Sequence, residues 1–396
     1  MKKSALYVFL LLSLSFHLFP CVAVAAQGPD HKPDLLVDDD KVQCPTATFT
    51  SIQAAVDAAN PGNLIRVCPG TYREQVFINK PLSIEGDNGA IVLPVNMVAN
   101  TTGSSGAPIA AAILVKNTAN VEIEGLIVDT ANSGMTECSP HLIGILYQNS
   151  SGIIDHNAVR NTKLAVSLNG CQSGDGIVVQ SLGGEASKVR IDDNSVHDYQ
   201  KNGITGNELG ADVSITNNVV TGLGPTTGAA QNGIQIGFGG KGSVLHNTVT
   251  DNVWSPCVSF QNCAFNATGI LIFQSDGVRV ENNSVATNQV GVYAGGQHAT
   301  VASNNISNSV VLDGIDLAGD NNLASHNDVT NSGQAAILIE GNDNKVQSND
   351  LTEAPVGILK LSGTVGNTHT GNSFFATLTP VQDPAPAHTV HVAPQR

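Results

Sequence analysis

The densest run of ionisable side chains is His197-Asp198-Tyr199-Gln200-Lys201-Asn202. Within six residues it offers an imidazole, a carboxylate, a phenol and an amine, the groups from which acid–base catalysis is built. Further along come Gln231, Asn232 and Gln235, then Asp251, Asn252 and Trp254, the only tryptophan. Two chemistries suit these types. Asp198 and Asp251 as an acid/base pair would suit an inverting glycoside hydrolase, whose carboxyls stand well apart. Lys201, Tyr199 or His197 as the base would suit a β-eliminating lyase. Asp175, Asn202, Gln231, Asn232 and Gln235 supply hydrogen-bonding groups for sugar hydroxyls, and Trp254 supplies a stacking surface. The same string also reads as a solvated turn, so its weight depends on what the chain places beside it.

A repeat does the placing. Asn283, Asn304, Asn327, Asn349 and Asn372 recur at intervals of 21, 23, 22 and 23 residues, each with an apolar residue two positions on. Asn247, Asn218, Asn194 and Asn157 hold the same place upstream. Between them fall Gly-apolar pairs and short stretches of alternating aliphatic and polar residues, which is strand spacing. A unit this short cannot bury a face alone, so successive units must stack. The expected fold is all-β: a single-stranded right-handed parallel β-helix of about ten or eleven coils. Equivalent positions then lie ~4.8 Å apart per coil, so Asp198 and Asp251 would be about 9 to 10 Å apart.

Insertions mark one edge. From ladder Asn to the next Gly takes 8 to 10 residues in the C-terminal coils, but 19 from Asn157 to Gly176, 15 from Asn218 to Gly233 and 22 from Asn247 to Gly269. All three excesses fall at one point of the coil and should wall a common face. Outward from that face should point Val178, Thr205, Gln235, Leu271, Tyr293, Asp316 and Leu338, with Asp175, Asn202, Asn232, Thr268, Val290, Asp313 and Ala335 in the row preceding each Gly or its Ala equivalent. His156, His246 and His326 precede ladder Asn residues and read as exposed strand positions.

Composition agrees. Only 4% of the 396 residues are aromatic, while 40 are glycine, which suits a narrow aliphatic core. The formal charge is −15, or −17 once Lys2 and Lys3 leave with a leader (−15 − 2). That argues against nucleic acid or an anionic membrane as partner, and against a polyanionic glycan unless bound Ca²⁺ or a local basic patch offsets the field. Residues 1–26 read as a secretory leader, with Lys2-Lys3 before an apolar run and small residues at the cleavage site. Residues 27–44 read as a flexible entry, 45–376 as the solenoid domain and 377–396 as a Pro-rich disordered tail. The product is expected to be secreted or periplasmic, monomeric and without membrane insertion, needing no cofactor except possible Ca²⁺. Beyond the leader remain Cys44, Cys68, Cys138, Cys171, Cys257 and Cys263, and nearest-neighbour pairing in that order is expected in an oxidising compartment.

Ser51 caps a short helix whose Ile52, Ala55, Val56 and Ala59 share one face. Together with Phe49, Pro61-Gly62, Pro69-Gly70, Tyr72, Glu74 and the alternating Val76, Ile78, Lys80, Leu82, Ile84 and Gly86, this opening resembles the pectin-lyase-like β-helix proteins, in particular pectinesterases and carbohydrate-binding and sugar-hydrolase domains. The resemblance covers about residues 45–375 with the repeats, and implies the fold with a capping helix. It carries over no catalytic motif. The Gln-Asp-Thr-Leu of pectinesterases, the Gly-His-Gly and Arg-Ile-Lys of polygalacturonases and the Asp-Pro-His of alginate epimerases are missing. What remains is an exported polysaccharide-active protein of lyase, epimerase or hydrolase type acting on a uronic-acid-type or related glycan. The alternatives are a glycan binder without turnover and a structural or delivery protein.

Overall fold

The structure is a computed structural model; it describes residues 33–259, 262–385 and 394. The expected leader lies outside the described residues. The chain is a parallel β-helix built from three sheets. Sheet A runs from Leu35–Val37 to Thr368–Thr370, sheet B from Gly70–Tyr72 to Ser373–Phe375 and sheet C from Val76–Ile78 to Thr379–Ala385, with 13, 12 and 13 strands. Every neighbouring pair along these sheets is parallel; the short strand Thr101–Thr102 pairs antiparallel with Pro108–Lys116 at the rim of sheet C.

The core follows from the alternation. One or two aliphatic residues per strand point inward and stack on their equivalents in the next coil, as do Val285, Ile306, Val329 and Leu351 of sheet B, all at most 1% exposed. Each such side chain contributes about 1.5–3 kcal/mol. The expected asparagine ladder is continuous from Asn157 to Asn372. Each Oδ1 accepts from both the backbone N and the Nδ2 of the preceding ladder residue, as Asn304 Oδ1 does from Asn283 at 2.9 Å each. The Nδ2 groups also reach back to carbonyls, as Asn304 does to Val280 O at 2.9 Å.

The residue before each ladder Asn turns the corner with positive φ, including His156 (52°), His246 (59°) and His326 (57°). These histidines are exposed as expected, but they are turn residues rather than strand residues. The left-handed conformation, tolerated best by Asn, Asp, His and Gly, explains why those types hold seven of the nine positions, Ser303 and Ser348 holding the other two.

The helix Ile52–Ala58 forms with Ser51 as its N-cap, and buries Ile52, Ala55 and Val56. Glu74 completes the cap: its carboxylate accepts from the Ser51 hydroxyl (2.7 Å), Ile52 N (2.7 Å) and Gln53 N (3.0 Å). Both ends extend further than the ladder suggests. Leu35–Val37, within the expected flexible entry, pairs with Leu64–Val67, and Thr379–Ala385, within the expected tail, pairs with Val356–Leu361. Pro380 and Pro384 read as tail residues, yet each terminal strand is an edge, where a missing N–H removes no ladder bond. These ends raise the strand count above the expected ten or eleven coils.

Candidate functional site

The insertions all leave sheet B and enter sheet C. The second and third partly prolong sheet B, pairing Pro225 with Val253 and Thr226 with Trp254. A glutamine carboxamide pins each one. Gln200 donates to Leu168 O (2.8 Å) and Cys171 O (2.9 Å), Gln231 accepts from Leu223 N (3.0 Å), and Gln289 donates to Trp254 O and accepts from Ala267 N (2.9 Å each). Gly170 and Gln172 of the first, Gly228 and Ala230 of the second, and Trp254 and Phe265 of the third line one pocket of about 490 Å³. The edge wall expected from the spacing is therefore real.

The disulfides close as nearest neighbours: Cys44–Cys68, Cys138–Cys171 and Cys257–Cys263. The second ties the segment before Pro140 to the first insertion, and Cys138 itself lines a second cavity, of about 240 Å³, on the outer face of sheet C. Its walls include Ser105, Ser139 and Gln172, and its floor includes Asp175, Gln180 and Asn207. There His141 Nε2 lies 2.8 Å from Asp175 Oδ2. His141 and Asp175 belong to adjacent strands, His141–Gln148 and Asp175–Gln180.

Asp175 begins a polar chain along the face. Its Oδ1 accepts from Asn202 N (2.9 Å). Asn202 Oδ1 accepts from Asn232 Nδ2 (3.0 Å), and Asn202 Nδ2 donates to Thr205 Oγ1 (3.1 Å) and Gln235 Oε1 (3.4 Å). Gln235 Nε2 continues to Asn207 Oδ1 (2.9 Å). Asp175, Asn202, Asn232 and Gln235 are thus brought together as their spacing implies. The outward row is in register from Val178 to Leu338. Yet Thr205, Gln235, Leu271, Asp316 and Leu338 are at most 1% exposed, so a side chain facing away from the core is not thereby in solvent here.

Other expected residues are placed elsewhere. Tyr199 is fully buried in the aliphatic core and donates to Asn252 Oδ1 at 2.6 Å; burial pushes its phenol well above the usual range, which unfits it as a base. Gln231 donates to Tyr199 O (2.6 Å) and braces a turn. Asp198 and Asp251 occupy equivalent turn positions two coils apart, with φ of 58° and 64°. Neither lines either cavity. Asp198 instead pairs with Lys163 (2.7 Å) and His197 (2.7 Å), and the Lys163 hydrogen bond lowers its pKa. Trp254 faces the insertion pocket, its indole donating to Gly228 O (2.9 Å) and its ring edge-on to Phe265 (5.8 Å).

Lys201 is the most perturbed base. It is fully buried, donates to Ala230 O at 2.6 Å, and burial lowers its pKa to about 7 against the opposing pull of Asp175. His141, Gln180 and Asn207 were not singled out as site residues. Only the parallel register, which sets His141–Gln148 beside Asp175–Gln180, reveals them, and the 34-residue gap hides it in the sequence.

Among the described residues no helix is long and apolar enough to cross a membrane. Residues 246–386 match the family described as periplasmic copper-binding protein (NosD). Copper favours imidazole, thioether or thiolate donors. That segment contains no methionine and its two cysteines are disulfide-bonded; its four histidines, His246, His298, His326 and His369, belong to none of the three clusters of metal-capable side chains found among the described residues, so the donors present do not converge on a copper centre. A cell surface glycoprotein of Methanothermus fervidus is 34% identical over 90 residues, covering 22% of this chain and 13% of that protein. Among solved structures, the mannuronan C-5 epimerase AlgE6 A-module of Azotobacter vinelandii matches at TM-score 0.57 and 16% identity over 87% of this chain and 95% of that one. A GH136 lacto-N-biosidase from Eubacterium ramulus matches at TM-score 0.56 and 11% identity, over 86% and 67%. These likenesses show the right-handed parallel β-helix fold. With three closed disulfides, and with these matches described as periplasmic or cell-surface, the chain is an exported protein, periplasmic or extracellular.

Proposed function

We propose that this exported solenoid binds a glycan along the outer face of sheet C and acts on it by proton abstraction, as a lyase or epimerase of a uronic-acid-bearing or related chain. The observation that carries the reading is the His141–Asp175 pair, 2.8 Å apart, in the floor of a cavity that also presents Gln180 and Asn207. In this reading His141 takes the proton, Asp175 orients the imidazole and stabilises its charged form, and the amides hold the sugar. A paired-carboxylate hydrolase is less well supported, because Asp175 is the one carboxylate among the residues lining this cavity. Lys201 is a positioning residue here: its amine is within electrostatic reach of Asp175 and, near neutrality, is partly uncharged.

Binding without turnover is the second reading, and the Trp254–Phe265 pocket favours it, since an indole walled by loops suits sugar stacking. One assay separates the two. Acidic and neutral polysaccharides are incubated with the protein at ~0.15 M salt, which screens its negative charge, and products are followed as unsaturated ends, inverted sugar residues and reducing ends. Unsaturated or inverted products abolished by His141→Gln support the enzyme. Affinity that depends on Trp254, with no product from any chain, replaces it with the binder.

A further inference from the structure

Five coils beyond Asp175, ~24 Å along the axis, the same face carries a different chemistry. Tyr293 and Asp316 are paired in register on adjacent strands. Leu317 pairs with Ile339, which places Glu340 diagonally beside Asp316. Asp316 is 1% exposed and its Oδ1 has no hydrogen-bond partner; one carboxylate oxygen of Glu340 is likewise buried and unpartnered. Burial raises both carboxyls, Glu340 to about 7, and the charged groups acting on Asp316 are Glu340 and Asp313, both acidic. Asp313 is itself occupied, accepting from Ala335 N at 3.0 Å. A buried carboxyl and a half-buried one beside it, neither with a hydrogen bond to its buried oxygen, are costly as anions. A ligand that displaces their protons would be positive.

We propose that Tyr293, Asp316 and Glu340 form a cation-binding site on the C-terminal half of the sheet C face. Two sources share the required chemistry. A hard divalent ion would take the carboxylate oxygens directly. The ammonium of an amino sugar would take the carboxylates and rest against the Tyr293 ring, in which case a glycan following the axis from the His141 cavity would reach it. The site does not depend on the reading of the His141–Asp175 pair, so for the metal ions, which do not span the two places, Asp175→Asn serves as the control that should leave it unchanged.

Trp254 reports on it, since the indole packs against the same apolar cluster as Tyr293. The full exported chain is titrated at neutral pH by calorimetry and Trp254 fluorescence with CaCl₂, with MgCl₂, with a glucosamine oligomer and with its N-acetylated form. Saturable binding of either metal ion, or of the free-amine oligomer over the acetylated one, is expected, with proton release and at least tenfold weakening in Asp316→Asn and Glu340→Gln, and for the metal ions no weakening in Asp175→Asn. Metal binding and amine binding assign the source. Should Asp316→Asn not fold, Glu340→Gln, whose side chain is partly exposed, carries the same comparison. Failure of every cationic probe to bind, equal binding of the acetylated oligomer, or binding indifferent to Glu340→Gln overturns the proposal.

Discussion

His141 Nε2 and Asp175 Oδ2 lie 2.8 Å apart although 34 residues separate them. The contact exists because the chain makes one full coil between them and returns to sheet C one strand over, pairing Ile143 with Asp175. The Cys138–Cys171 disulfide crosses the same interval and fixes the loop that precedes His141. The coil geometry thus supplies proximity, while the disulfide and first insertion supply the wall.

Substituting either member of the pair should remove chemistry without removing the fold. His141→Gln keeps a hydrogen-bonding group and about the same bulk but no titratable nitrogen. Turnover of the responsive glycan should fall by about 10²–10⁴-fold, the usual worth of a positioned acid–base group. Asp175→Asn should reduce it less and shift the pH–rate profile, because the imidazolium loses its counter-charge. Circular dichroism and melting temperature should stay close to the parent in His141→Gln.

The asparagine ladder should be costly to break in its middle. Asn304→Ala removes the Oδ1 that accepts from Asn283 N and Nδ2 and the Nδ2 that reaches Asn327 Oδ1 and Val280 O. Buried donors are then left without partners, at about 2–4 kcal/mol in total. Asn372→Ala, at the open end where Phe375 is 72% exposed, should cost less. Urea midpoints of the two variants give the comparison.

Much of this architecture was legible because its signals are local and periodic. The ladder residues, the Gly-apolar pairs and the helix over Ile52–Ala58 each follow from short-range rules, and the insertions declared their edge by interrupting a regular count. The site was less legible. Tyr199 and Lys201 stand two residues apart in a polar string, and nothing local states that both are buried, one in the core and one against Ala230 O. Asp198 and Asp251 are equivalent, as their spacing implies, but they turn corners outside both cavities. Burial on the outer face of sheet C depends on what covers it, which alternation along one strand does not encode.

Removing the loop cross-link should separate stability from binding. In Cys138→Ser with Cys171→Ser, the chain-entropy contribution of the closed loop is lost, on the order of 3 kcal/mol. The rest of the solenoid keeps its stacking. Glycan affinity should fall by more than in a Cys44→Ser with Cys68→Ser variant of comparable stability loss, since Cys138 lines the cavity floored by Asp175 and the Cys44–Cys68 bridge lies at the N-terminal end. Paired melting and binding curves decide it.

Glu340 and Lys201 pull stability in opposite directions on the two sides of pH 7, and Asp313 and Asp316, also raised by burial, add to the fall with rising pH. Burial raises Glu340 from 4.5 to about 7. Between those values the folded chain binds more protons than the unfolded one, so stability falls as pH rises through the window. Burial lowers Lys201 from 10.5 to about 7. Between about 7 and 10.5 the unfolded chain binds more protons, so stability rises with pH there. Glu340→Gln should flatten the acid-side fall and stabilise the chain at pH 7 by on the order of 2 kcal/mol. Lys201→Met should flatten the alkaline-side rise while leaving the acid side intact. Urea unfolding across pH 4.5 to 10 tests both arms, and an acid-side slope that Glu340→Gln leaves unaltered would mean that the Glu340 carboxyl is charged in the folded chain across the whole range.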